Sequence, residues 1–175
     1  MKISKTLISK EEIENKISEI ATKINDKYEE EELVVIGILK GAFIVVSDLA
    51  KQLQLDVTFD FMSIKSYYGS ESSGQIKIVK DLEYDITDKN VLIVEDIVDT
   101  GLTLSWLKAN LESRGAKSVE ICTIFRKPEA AKVEVNVKYI GFDIPPAFIV
   151  GYGLDFNEKY RNLSVVAVLS PHMYS

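Results

Sequence analysis

The sequence predicts a doubly wound α/β protein on a mainly parallel sheet, with the two chain ends folded onto it as a small hood lobe. Three observations carry this. Leu33–Leu39, Val91–Val94 and Val119–Phe125 are unbroken apolar runs, the pattern of strands buried on both faces. Helical signatures alternate with them through the middle of the chain, as successive β-α-β units require. The 175 residues are 46% hydrophobic, enough to build one sizeable core, so the chain 1–175 is read as a single domain with its core at about 33–140.

The elements follow in order. Ser9 and Glu12 have capping-box spacing, Ile8 and Ile13 are placed for a hydrophobic staple, and Ile13, Ile17, Ile20 and Ile24 share one helical face. The acidic run Glu29–Glu32 closes this helix as a solvated loop before the strand Leu33–Leu39 and a helix from Phe43 to Leu53. Val57–Ile64 is β-branched and aromatic, as a strand should be, and leads into Ser66–Gly74, a polar stretch with two glycines that reads as a long mobile loop. Ile76–Leu82 returns from it, Asp85–Lys89 turns, and Val91–Val94 is the second buried strand. A helix from Thr103 to Ser113 ends at Gly115, a suitable C′ residue, before Val119–Phe125. Tyr139–Ile144, the Pro145-Pro146 break, Phe148–Gly151 and Val165–Leu169 complete the chain.

Charge and composition exclude several functions. Lys and Arg total 21 against 27 acids, a net charge of -6 that leaves no global cation excess for nucleic acid. The N-terminal MKISKTLISKEE lacks a signal's apolar stretch, and Leu33–Val46 is interrupted by Lys40 and two glycines, so no membrane role and a cytoplasmic location are expected. The single cysteine, Cys122, sits in an apolar run and reads as a small core residue in a reducing compartment.

In an open parallel sheet, ligands bind beyond the C-terminal strand ends. Glu95 and Asp96 follow Val94 there. Adjacent carboxylates continuing a buried strand repel each other and lose hydration, which a divalent cation such as Mg²⁺ would offset. Alternatively, one acid is exposed and the other caps a turn. Asp99-Thr-Gly-Leu-Thr103 then offers successive amides, two hydroxyls and a glycine at a helix start, a setting for a phosphate monoester. It is neither a Walker A loop nor a G-x-G-x-x-G fingerprint. The competing reading is a ligand-free N-cap supplied by Asp99 or Thr100.

Val94-Glu-Asp-Ile-Val-Asp-Thr-Gly-Leu-Thr103 resembles the phosphoribosyl-pyrophosphate (PRPP) motif of type I phosphoribosyltransferases. Gly37-Ile-Leu-Lys-Gly41, Ser66-Tyr67, Lys127, Phe148-Ile-Val-Gly-Tyr-Gly-Leu-Asp155 and Arg161 narrow the resemblance to the hypoxanthine-guanine phosphoribosyltransferases. The resemblance implies Mg²⁺-dependent transfer of ribose 5-phosphate from PRPP to N9 of hypoxanthine or guanine, releasing pyrophosphate, by a homodimer or homotetramer. Lys40, Gly41 and Arg161 would then face pyrophosphate, with a cis Leu39-Lys40 peptide. Glu95 and Asp96 would hold the ribose hydroxyls and metal, with Asp155 a second metal-associated acid. Asp99 would be the acid/base at purine N7, and Thr100, Gly101, Leu102 and Thr103 would cradle the 5-phosphate. Leu102 occupies a position where some relatives carry lysine, so only its backbone can contribute. Ile97, Lys127, Phe148, Ile149 and Asp155 would recognise the purine, Lys127 donating to O6 and Phe148 stacking. Ser66 and Tyr67, with Tyr68, Gly69 and Gly74, would form a lid. His172 has no role in this scheme.

Two rivals use part of the same pattern. A PRPP-sensing nucleic-acid regulator conflicts with the negative charge, and a phospho-accepting receiver site built on Glu95, Asp96 and Lys127 leaves Asp99–Thr103 unexplained.

Overall fold

The computed structural model describes residues 3–69 and 72–174, with the backbone alone at 67–69 and 72–74. A six-stranded sheet forms its centre. Its strands are β2 (Leu33–Leu39), β3 (Val57–Gly69), β4 (Ser72–Lys80), β5 (Asn90–Val98), β6 (Ser118–Arg126) and β7 (Tyr139–Asp143). They lie in the order β4-β3-β2-β5-β6-β7, all parallel except the antiparallel edge pair β3–β4. Helices α1 (Lys10–Lys27) and α2 (Phe43–Ala50) cover one face, and α3 (Leu102–Ser113) covers the other.

The strand pattern explains the two layers. Leu33, Val35, Leu92, Val94, Cys122 and Ile124 pack with the α1 isoleucines and with Val45, Val46 and Leu49 of α2. The alternate residues Val34, Ile36, Val91, Ile93 and Ile121 pack against Leu104, Leu107 and Leu111 of α3. Continuous apolar runs are therefore what a sheet with both faces covered demands. The capping box is present in full: Glu12 N–H donates to Ser9 Oγ at 3.1 Å, and Ser9 N–H donates to Glu12 Oε2 at 2.8 Å. Such a cap contributes about 1 kcal/mol. Ile8 and Ile13 are both buried, as the staple requires. Gly115, at φ 83°, ends α3.

The chain ends form a second antiparallel sheet, β1 (Ile3–Ile8), β9 (Val166–Leu169) and β8 (Ile149–Val150), in the order β1-β9-β8. This lobe reaches the C-terminal end of β2. A Cβ on Gly153 would lie 2.1 Å from the Gly41 carbonyl oxygen, so the 151–161 segment rests directly on the β2–α2 loop. Among the described residues, no helix is long and apolar enough to cross a membrane.

Several local expectations are corrected. Ser66–Gly74 is not a loop in its described part: Ser66 pairs with Ile76, Tyr67 with Gln75 and Gly69 with Ser72. Antiparallel pairing satisfies the backbone here whatever the side-chain polarity, so the glycines misled the sequence reading. Ser70, Glu71 and the side chains of Tyr67 and Tyr68 lie outside the described residues. Helix α2 stops at Ala50 instead of Leu53. Strand β5 runs on through Glu95 and Asp96 to Val98, with Glu95 paired to Thr123 and Ile97 to Phe125. Strand β1 had no sequence signal, because its order comes from pairing with β9 at the far end of the chain.

Candidate active site

The C-terminal ends of β2 and β5, the start of α3 and the end region of β3 enclose a cleft of about 300 Å³. Glu95, Asp96 and Ile97 line it from β5, followed by Asp99, Thr100, Gly101 and Thr103 from the loop. Gly41 and Leu39 approach from β2, and Ser66 from β3. The two acids and the amide-rich loop predicted from the sequence thus share one cavity.

Extension of the β5 ladder holds the carboxylates away from bulk water. Glu95 forms no side-chain hydrogen bond or ion pair with a described residue, and burial, then the neighbouring Asp96, push its carboxyl well above the usual range. Burial pushes Asp96 up to about 6, opposed by the Ile97 N–H, which donates to Asp96 Oδ1 at 2.8 Å, and by Arg161. Asp155 also acts on Asp96, raising it. Two part-buried acids, one lacking any protein donor, are a set that a hard divalent cation fits. Among the described residues, no three Asp, Glu, His or Cys side chains gather as a metal cluster. The expected set Glu95, Asp96 and Asp155 is therefore no closed protein cage; an ion here would complete its shell with substrate and water oxygens.

The loop is open to an anion. Gly101 adopts φ 81° and serves as N-cap of α3 without any side-chain capping bond. Asp99 is exposed and caps nothing, while Thr100 Oγ1 accepts only a 3.4 Å contact from Leu102 N–H. This corrects the capping alternative for Asp99, while Thr100 meets only the first α3 amide, at 3.4 Å. The α3 N-terminus keeps unused donors and its favourable dipole facing the cleft. Ser66 Oγ and Thr103 Oγ1 lie 2.8 Å apart, joining β3 to the loop. Leu102 begins α3, its side chain half-buried.

On the β2 side, the Leu39-Lys40 peptide is cis. A Cβ on Gly41 would stand 1.8 Å from Asp96 Oδ2, so glycine lets this loop pass the acid with its carboxylate undisturbed. Lys40 is exposed and pairs with Glu158, and Arg161 donates to the Gly153 carbonyl at 2.7 Å. Arg161 Nε is buried without a partner among the described residues.

The remaining predicted residues occupy the neighbouring strand ends. Lys127 follows β6 and borders a smaller cleft of about 160 Å³ together with Val98, Asp99 and Gly101. Arg126 beside it is committed to Asp143 by two bonds of 2.7 and 2.9 Å, whereas the half-buried Lys127 amine has no described partner. Phe148 is 38% exposed, stacked on Tyr174 and edge-on to Phe156; Ile149 is buried in β8. Asp155 Oδ2 accepts from the Glu158 N–H at 2.9 Å, and Asp155 Oδ1 lies 3.2 Å from Arg161. His172 is exposed in the terminal turn, away from the cleft lining.

Sequence reasoning missed Glu158, which bridges Lys40 and Arg161, and Tyr174, which stacks on Phe148. Neither carries a local signal, because each meets its partner through the fold of the small lobe.

Comparison with known proteins gives a consistent picture. Residues 5–157 match the phosphoribosyl transferase domain family. The hypoxanthine-guanine phosphoribosyltransferase of Mycobacterium avium is 46% identical, over 98% of this chain and 88% of that protein. The protein of the same name from Bacillus subtilis (strain 168) is 43% identical, over 98% and 96%. The crystal structure of a Bacillus anthracis hypoxanthine-guanine phosphoribosyltransferase superposes with a TM-score of 0.90 at 45% identity, covering 96% of this chain and 98% of that one.

Proposed function

The chain belongs to the hypoxanthine-guanine phosphoribosyltransferases, and we propose that its strand-end cleft transfers the 5-phosphoribosyl group of PRPP to N9 of hypoxanthine or guanine. The products are IMP or GMP and pyrophosphate, a purine-salvage reaction. The observation that carries the site assignment is the shared cavity: two adjacent carboxylates, of which Glu95 has no described partner, and a helix start whose N-cap supplies no side-chain bond face the same space.

In this reading the amides of Thr100–Thr103 and the Thr103 hydroxyl take the 5-phosphate, as a helix N-terminus takes an anion. Glu95 and Asp96 accept from the ribose hydroxyls and, with Asp155 nearby, hold Mg²⁺. The ion supplies charge neutralisation for the diphosphate. Lys40 and Arg161 bind the departing pyrophosphate, whose negative charge grows as the sugar–oxygen bond breaks, so their contacts strengthen towards the transition state. Asp99 stands at the mouth of both clefts, placed to exchange a proton with purine N7. Lys127 donates to the 6-oxo group, Phe148 stacks on the ring, and Ile97 and Ile149 border the base. Ser66 and Tyr67, on the β3 arm, close over the sugar and exclude water from the oxocarbenium-like centre. The chain works as one unit, in the cytoplasm, as a homodimer or homotetramer.

The test is product analysis after incubation with PRPP, Mg²⁺ and each of adenine, hypoxanthine, guanine and xanthine. IMP and GMP, each with an equivalent of pyrophosphate, are expected. Nucleotide from adenine alone, or from none of the bases, would overturn the reading.

A further inference from the structure

Lys40 and Arg161, the cations assigned to pyrophosphate, are already joined by one carboxylate. Glu158 Oε2 lies 2.7 Å from Lys40 Nζ, and Glu158 Oε1 lies 3.3 Å from Arg161 Nη2. The Glu158 N–H is fixed by Asp155, and φ values of 51° at Asn157, 61° at Glu158 and 75° at Tyr160 make a tight turn that carries the side chain back over the β2–α2 loop.

The strength of the contact matters as much as its place. The Lys40 and Glu158 side chains are 67% and 61% exposed, so water and salt screen their attraction. A metal-bound diphosphate carries several oxygens and more charge than one carboxylate, and it can take both cations at once. The carboxylate therefore yields Lys40 readily to a stronger anion, whereas Arg161, 18% exposed and also 3.2 Å from Asp155 Oδ1, stays in place to receive the same anion once Glu158 withdraws.

We infer that Glu158 is an internal counter-anion, occupying Lys40 and Arg161 until the diphosphate displaces it and returning when pyrophosphate leaves. This rests on the assignment of those two residues to pyrophosphate in the reading above. Glu158 is then a determinant of PRPP and pyrophosphate affinity, separate from the groups that do the chemistry.

Calorimetric titration of inorganic pyrophosphate with Mg²⁺ into the wild type and Glu158→Gln tests it. The variant should bind about threefold to tenfold tighter, the scale of one or two exposed ion pairs removed from competition. The KM for PRPP should fall by a similar factor, with the KM for hypoxanthine unchanged. Equal or weaker pyrophosphate binding by the variant overturns the inference alone, making Glu158 a support for Lys40. A wild type that binds no pyrophosphate overturns the site assignment on which the inference depends.

Discussion

Gly41 lies so close to Asp96 that a single methyl group at its Cα would stand 1.8 Å from Asp96 Oδ2. The neighbour is the movable end of a side chain, so the fold can absorb the intrusion by turning the carboxylate aside. The proposed site cannot, because there Asp96 shares its cavity with the loop that opens α3.

Gly41→Ala should therefore fold with a nearly unchanged melting temperature and lose about a hundredfold in kcat/KM for PRPP, the cost of a misplacement near 1 Å. Steady-state kinetics beside a thermal melt make the comparison. Full activity would mean that the position of Asp96 is irrelevant.

The carboxylate pair trades stability for function. Asp96 is part-buried beside Glu95 and has a raised carboxyl, so its ionised form at pH 7 costs the metal-free fold free energy. Asp96→Asn should stabilise the metal-free protein by about 1–2 kcal/mol at pH 7 while abolishing turnover. Urea unfolding in the presence of a chelator reads this; a destabilised variant would show that the carboxylate is satisfied within the fold.

Much of this was readable from the chain, and the parts that were not have a common cause. The apolar runs fixed the central sheet because burial on both faces leaves no other use for Val91–Val94 or Leu33–Leu39. Ser9 and Glu12 announced their helix because capping is local. The acids and loop from Glu95 to Thr103 were visible because their partners are neighbours in sequence. Strand β1, the long β3–β4 arms and Glu158 were not, since each is defined by pairing across the fold: Ile3 with Leu169, Tyr67 with Gln75, and Glu158 with Lys40. Side-chain polarity at Ser66–Gly74 suggested a loop, but backbone ladders do not depend on it.

Asp99 is exposed, caps no helix and borders both clefts, so its removal should affect chemistry more than folding. Asp99→Asn should lower kcat about a hundredfold, the scale of general acid–base catalysis, with the KM for PRPP little changed. An unaltered kcat would remove Asp99 from proton transfer.

Cys122 is fully buried between the sheet and the α1–α2 layer, and burial pushes its thiol up to about 12. The unfolded thiol ionises near pH 8.5, so the folded state resists losing the proton. Stability should be unaffected by this group below about pH 8.5 and should decline as pH rises from there towards 12. At pH 8 a thiol reagent should label the native chain only as fast as it opens, and promptly in urea. Immediate stoichiometric labelling of the native protein would contradict the packing.

The most direct measurement is a calorimetric titration of PRPP with Mg²⁺ into the wild type and a Glu95→Gln, Asp96→Asn double variant, with folding of both checked by melting. One equivalent should bind to the wild type in a Mg²⁺-dependent manner, with loss of measurable binding in the variant. Equal affinity in the two proteins would contradict the claim that the carboxylate pair and the phosphate loop grip one substrate together.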